Sequence, residues 1–437
     1  MNEQNTYEPE WAMKGGNIDE LLYYADFIQR YPMLCIDGKL IDENGEVDTD
    51  WLRNRVAFEV MPYIRKNTSH KVTSIINAIK LCAYGGEMMP DTKRIHIRNG
   101  TLYTDGTFTE KKFFCRNRLD VKWEEDCGKP EKFLNFLGEL LESEDIPTLQ
   151  EYLGYCLIPS TKGQKMMFII GSGGEGKSRL GVILNSIFGK SMLTGSFQRI
   201  ETDRFFRYNL LNKLLMIDDD MQVNALTTTG CIKNIVTAET PIDIEAKGEQ
   251  SRQANIYTRF LCFGNTAPQA LYDKTEGFAR RMLILRTKPK PQDRVDDPFL
   301  ADRLIEEKDR IFRWMFDGLM RLIGNNFKFT LSSNARQNVV DAMKENCNIT
   351  DFLEDEDAVA YGDFDVAGYD LYAAYSVWCG DNSTTALKRD TFIHYLRNNA
   401  HRLNISYVNN VLTNDGKRVR GFRGIKPHFC TGERYIN

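Results

Sequence analysis

Apolar residues recur at helical spacing in three stretches near the start of the chain: Ile18 to Arg30, Trp51 to Lys66 and Val72 to Leu81. Between the first two, Asp37-Gly38 and Asn44-Gly45 punctuate a short apolar text and predict a small hairpin. From Arg94 to Val121 the pattern shortens to alternation, with Asn99-Gly100 and Asp105-Gly106 as hairpin turns. Pro130 then opens one helical segment, and a second runs from Ile146 to Leu157. Met166 to Ile170 is a continuous apolar run, as in a parallel strand buried on both faces. A helix follows, carrying Leu180, Val182, Ile183, Leu184 and Ile187. Lys213 to Ile217 reads as the next strand and Cys231 to Val236 as a helix. Pro241 to Glu245 and Ile256 to Phe263 read as strands on either side of a Lys247-Gly248 turn. Near the end, Val366 to Trp378 and Lys388 to Leu403 have helical periodicity, and Ile405 to Ile425 reads as a hairpin turning at Asn414-Asp415-Gly416.

This pattern divides the chain into 1–90, of unknown role; 91–160, α+β passing into helices; 161–333, an α/β core; and 334–437, a separate module. No Pro/Gly/Ser-rich linker precedes Met166, so the helical piece before it should pack on the α/β core as a collar.

Composition narrows the class. Apolar residues make up 42% and charged residues 27% of the chain, the range of soluble globular proteins. No run approaches a membrane span, and the N-terminal text has no apolar core of a signal peptide. The ten cysteines are scattered singly, which suits small buried residues in a reducing compartment and argues against zinc. A cytoplasmic location follows as the expectation, in a bacterial or phage-infected cell. The net charge of −4 announces no nucleic-acid partner, so any such surface has to be local.

The chemistry concentrates after Ile170. Gly171-Ser172-Gly173-Gly174-Glu175-Gly176-Lys177-Ser178 lies between a strand and a helix, the setting a phosphate-binding loop requires. Glycines let backbone N–H groups turn toward a phosphate, and the helix N-terminus adds its positive dipole end. Lys177 can reach the β- and γ-phosphates, and the Ser178 hydroxyl is placed to ligate Mg²⁺; ATP is the expected cofactor. The apolar strand ending in Asp218-Asp219-Asp220 looks like a Walker B element. Asp218 is assigned to the metal and Asp219 to the base, with Asp220 the alternative for either. Asn265, at the end of the next strand, can orient an attacking water. Asp48 and Asp50 form an Asp-x-Asp pair that reads as a solvated turn.

In this order, the loop, the acidic strand end, the Lys247-Gly248 hairpin, F-G-N-T-A-P and R-R-M-L-I-L resemble the superfamily 3 helicases. Within them the likeness is to the phage and plasmid primase-helicase branch related to poxvirus primase-helicases. The resemblance spans about Arg94 to Lys288. It implies an α/β AAA+ phosphate-loop ATPase that forms a ring, expected to be a hexamer, and translocates 3′ to 5′ on single-stranded DNA in a central pore. By the same resemblance Asn265 is the sensor, Lys247 the pore-hairpin lysine and Arg281 the arginine finger, with Arg280 its alternative. The triple Asp departs from the family's pattern, and no primase site is visible. The other function to weigh is an AAA+ origin-binding initiator that uses ATP for assembly without processive unwinding.

In the last module the second helix turns Arg389, Arg397 and Arg402 outward, and the hairpin carries Lys417, Arg418, Arg420 and Arg423. Helix, helix and a basic-edged hairpin suit a winged-helix-like domain on duplex origin DNA.

Overall fold

The computed structural model describes residues 8–221, 226, 228–238, 240–248, 250–267, 276–291, 297–345, 348–384, 386–387, 389–401, 403–413 and 416–428. Three helices, Glu20–Arg30, Thr49–Val60 and Thr68–Cys82, pack around Tyr23, Phe27, Val56 and Ile79. The text between the first two forms a three-stranded meander, Leu34–Ile36, Lys39–Asp42 and Gly45–Glu46. Asp48 caps the second helix, accepting from the Trp51 N–H at 2.8 Å, so the Asp-x-Asp pair starts a helix.

A four-stranded sheet follows, ordered Phe108–Thr109, Gly100–Tyr103, Arg94–Ile97, Arg118–Leu119. The centre is a five-stranded sheet of β1 (Met166–Ile170), β2 (Met192–Thr194), β3 (Leu215–Asp218), β4 (Arg259–Gly264) and β5 (Met282–Arg286). Its order is β2-β3-β4-β1-β5 and every pairing is parallel. All five residues of β1 are buried, as a strand with neighbours on both sides and layers on both faces demands. Helix α1 (Lys177–Phe188) covers one face. Ile146–Tyr155 lies against the long helix Lys308–Gly324 on that side. Their backbones touch: a methyl added at Gly154 would lie 2.4 Å from the Met315 carbonyl oxygen, and one at Gly318 would lie 2.4 Å from that of Gln150. The Tyr152 hydroxyl donates to the Phe260 carbonyl of β4 at 2.5 Å. The expected collar is therefore part of one core, from Ile95 to Ala335, which residues 91–160 share with the sheet.

The predicted hairpin forms from Ile242–Ile244 and Arg252–Ala254, with Lys247 exposed at its tip and Gly248 in the left-handed region at φ +84°. Its returning strand is thus separate from β4. Helix Ser333–Glu345, assigned from sequence to the last module, instead lies on β5, where Asn338 donates to the Ile284 carbonyl at 3.1 Å. The C-terminal core begins at Ile349.

That module runs helix Asn348–Glu354, strand Val359–Ala367, helices Gly368–Asp381 and Arg389–Asn398, then strands Ser406–Leu412 and Arg418–Pro427. The last strand lies in the middle of its antiparallel sheet. The helix expected from Val366 begins at Gly368, because Val366 and Ala367 pair with Phe422 and Gly421. Lys388, Arg402, Asn414 and Asp415 lie outside the described residues.

Candidate functional site

The glycine-rich loop leaves the C-terminal end of β1 and enters α1 through Gly176, whose φ of +113° suits glycine. Gly173 and Gly174 are also left-handed, at +109° and +80°. Gly171 is fixed by crowding. A methyl there would lie 2.0 Å from the Thr287 hydroxyl and 2.9 Å from a Glu175 carboxylate oxygen.

Inside the loop sits a buried carboxylate. Glu175 accepts the Gly173 N–H on both oxygens, at 2.8 and 3.0 Å, and the Lys177 ammonium on Oε2 at 2.8 Å. Burial would raise the Glu175 carboxyl, but the Lys177 ammonium and these N–H bonds hold it below its usual value. Glu175 is 4% exposed and Lys177 8%. An ammonium and a backbone N–H converge on one anionic group at a helix N-terminus, the donor set a phosphate needs. Ser172, Gly173, Gly174 and Ser178 are exposed.

The acidic strand end splits its side chains between two faces. Asp218 is buried, accepts the Phe197 N–H at 2.7 Å and pairs in register with Cys262 of β4. Burial pushes its carboxyl up. Asp219 is exposed on the opposite side, near α1. A methyl added at Gly181 would lie 3.8 Å from Asp219 Oδ1 and 3.9 Å from Ile217. Period two along the strand gives this directly. The metal role expected of Asp218 thus falls on a carboxylate that accepts a backbone N–H on the face away from α1, while its neighbour Asp219 faces the helix.

Asn265 is exposed one residue past β4, where the Gly171 N–H donates to the Gly264 carbonyl at 3.0 Å. The loop, Asp219 and Asn265 thus share the C-terminal edge of the sheet. Arg280 and Arg281 lie at the other edge, just before β5. A five-residue strand separates them from the loop by roughly 16 Å. Arg280 is exposed, whereas Arg281 is half-buried and donates back to the Gly277 carbonyl of its own short helix.

In the C-terminal module Arg389, Arg397, Lys417, Arg418 and Arg420 are all exposed. Arg397 lies over the Tyr407 ring at 4.6 Å, which ties the last helix to the hairpin. Arg423 is held by Asp365 in a two-bond pair at 2.8 and 3.0 Å.

A family profile described as "Family of unknown function (DUF5906)" matches residues 169–281, which run from the end of β1 to the start of β5. No curated protein matches. Among solved structures, the A form apo structure of the NrS-1 C terminal region is 13% identical with a TM-score of 0.51, covering 93% of this chain and 100% of that one. A second structure of that region, residues 305–718, gives the same identity and TM-score over 93% and 99%. The likeness is one of fold. No helix among the described residues is long and apolar enough to cross a membrane.

Two loop neighbours carry no sequence signal. Thr287 follows β5; its buried hydroxyl oxygen lies next to Gly171 and Glu175 and has no hydrogen-bond partner among the described residues. A methyl added at Gly174 would meet Lys290 Cδ at 3.7 Å. Both arrive only because β5 pairs with β1.

Proposed function

We propose that this chain is an ATP-hydrolysing motor of the AAA+ phosphate-loop class, which assembles as a ring, with six subunits as the expected number, and moves 3′ to 5′ on single-stranded DNA. Its biological setting is then replication of a phage, plasmid or other mobile element, as a helicase. One observation carries the reading: the Gly171–Ser178 loop already grips an anion, the Glu175 carboxylate, with the Lys177 ammonium and the Gly173 N–H. The strand order β2-β3-β4-β1-β5, with the loop after the strand flanked by β4 and β5, supports the class.

Lys177 and the loop N–H groups would hold the β- and γ-phosphates of ATP, and Ser178 would hold Mg²⁺. Bound ATP with Mg²⁺ supplies the electrophilic phosphorus and the positive charge that the nearby acids balance. Asp219, on the α1 face, would take the metal-side role and the exposed Asp220 that of base, while Asn265 would orient water. Arg280 is the better finger, because it is exposed and Arg281 is turned onto its own helix. Neither reaches the loop of its own subunit, so the finger has to act on a neighbour. The exposed Lys247 tip would grip the DNA backbone.

The C-terminal element order, helix, strand, two helices and a hairpin, supports a winged-helix-like module for duplex origin DNA through Arg389, Arg397, Lys417, Arg418 and Arg420. The test is phosphate release and strand displacement on forked DNA, with Lys177→Ala as control. Hydrolysis with displacement upholds the motor. Hydrolysis without displacement leaves an initiator that assembles on origins. Absence of nucleotide binding removes both.

A further inference from the structure

We propose that the cleft where the N-terminal module meets the central sheet binds the sugar–phosphate backbone of a single nucleic-acid strand, irrespective of base. The cleft is a cavity of about 400 Å³ between the meander, the Arg94–Leu119 sheet and the turn after α1. Five basic residues line it, Arg98, Lys112, Arg116, Arg118 and Lys190, against two acids, Glu46 and Asp120. Five less two leaves three formal positive charges, on a chain whose net charge is −4. Both acids are already shared with cations: Glu46 with Lys39 at 2.8 Å, and Asp120 with Lys308 at 3.0 Å and Arg98 at 3.2 Å.

Three of the cations have no acidic group against them within the cleft. Arg118 donates to the carbonyls of Ile97, of Gly100 at 3.2 Å and of Phe113 at 3.1 Å, and its buried Nε has no hydrogen-bond partner among the described residues. Neutral carbonyls fix the guanidinium without cancelling its charge. Among the described residues Lys112 and Lys190 enter no ion pair; Lys190 lies near enough to Asp48, the cap of helix Thr49–Val60, to help lower its carboxyl, after the Trp51 N–H. An uncompensated cationic concavity is the electrostatic footprint of a phosphate chain.

The cleft also has a direction. Arg116 and Arg252 share the Asp37 carboxylate, at 2.6 and 3.5 Å, and Arg252 lies on the strand returning from the Lys247 tip. A second cavity of about 210 Å³ lies along that route, lined in part by Asp37, Lys39, Lys213 and Arg252. Lys213 donates to the Lys190 carbonyl at 2.6 Å, which joins the two cavities. Positive charge thus runs from the hairpin to the N-terminal module. Among the described residues no aromatic ring lines the first cavity, so they offer bases no stacking platform there and binding is through phosphates. The choice of a single strand over a duplex rests on the motor reading above.

The test is fluorescence anisotropy of a labelled thymidine oligonucleotide, titrated at several salt concentrations. Compared are the natural chain, a Lys112→Ala/Lys190→Ala double variant and Lys247→Ala. The double variant is expected to weaken binding and lower the log–log salt slope by about 1.4, at about 0.7 for each single-strand phosphate no longer neutralised. An unchanged slope in the double variant, with a lowered one in Lys247→Ala, overturns the cleft and leaves the motor standing. No binding by the natural chain overturns both. An equal fall in slope on duplex DNA overturns the single-strand assignment. Cross-linking a thiothymidine strand to the natural chain avoids any effect of the variants on folding. Adducts on the peptides holding Lys112 or Lys190 uphold the proposal, and adducts confined to the hairpin overturn it.

Discussion

The two edges of the central sheet are built from opposite materials. At the C-terminal edge stand glycines with positive φ, the helix N-terminus of α1, Asp219 and Asn265. At the N-terminal edge a cation stands at or just before every strand: Lys190 before β2, Lys213 before β3, Arg259 opening β4, Lys165 before β1, and Arg280 with Arg281 before β5. The arrangement follows from topology. In a parallel sheet a crossover helix leaves from one edge and returns to the other, so one edge gathers helix N-termini and the other gathers C-termini. Lys190, two residues past α1, sits where the dipole favours a cation. Arg259 shows that the pattern is not purely for function. It is buried, lies over the Tyr155 ring at 5.1 Å and donates to the Tyr155 hydroxyl and the Tyr257 carbonyl, so it braces the core. On the proposed motor reading the first edge would take a polyanion with its metal, and the second would meet phosphates from a neighbouring copy or a bound strand.

The sharpest break of this contrast is a test of whether the edges meet across a subunit boundary. Lys177→Ala and Arg280→Ala should each lose ATP turnover, the second by roughly three to five orders of magnitude. Mixing the two before assembly should restore steady-state phosphate release, because some interfaces then join an intact loop to an intact finger. A mixture that forms shared rings yet stays inactive would place both edges' chemistry within one subunit or move the finger to Arg281.

Next in size is the division within the acidic strand end. Asp219→Asn should lower turnover by about two orders of magnitude or more while ATP still binds. Asp218→Ala should instead lower thermal stability by about 1–3 kcal/mol, the cost of leaving the buried Phe197 N–H unpaired. Reversed outcomes would return the metal role to Asp218.

A smaller and opposite effect is expected at Glu175. Its carboxylate competes for the donors that a phosphate needs, so Glu175→Ala should bind ADP about tenfold more tightly, or 1.4 kcal/mol, near the low end of a charge-assisted hydrogen bond. Titration calorimetry reads this directly, and weaker binding would make Glu175 a support of the loop and not a competitor.

Legibility followed the range of the interactions. The loop could be read because its glycines and Lys177 are consecutive and their neighbours are local. The triple Asp could not be resolved, since only the pairing of β3 with β4 shows which carboxylate faces α1. Strand Val359–Ala367 was hidden because its middle, Tyr361 to Asp363, is exposed and its apolar end runs into a helix text. Helix Ser333–Glu345 reads as part of the last module until Asn338 is seen on β5. Thr287 and the basic cleft depend on residues far apart in the chain, and no local pattern marks them.

The mildest probe is a buried imidazole that lies beside Arg118, one wall of the cleft. His96, 9% exposed, has its imidazole pushed down to about 4, first by burial and then by the Arg118 and Arg94 guanidiniums. An unfolded chain would protonate it near the ordinary value of 6.5, so below that pH the unfolded state binds a proton that the folded state refuses. The stability held by the neutral ring is therefore complete above about pH 6.5 and is lost as pH falls toward 4, by up to about 3 kcal/mol. Urea unfolding at pH 7.5 and pH 4.5 should show a larger acid loss in the natural chain than in His96→Gln, where no ring can titrate. Carboxylates titrate in the same window, but they are common to both proteins and cancel in the difference. The proton resonance of His96 on titration gives a second reading, which is tractable because the chain has five histidines. A midpoint near 6.5 would mean that neither burial nor the two arginines disfavour the charged ring, and the packing of His96 beside Arg118 would be wrong.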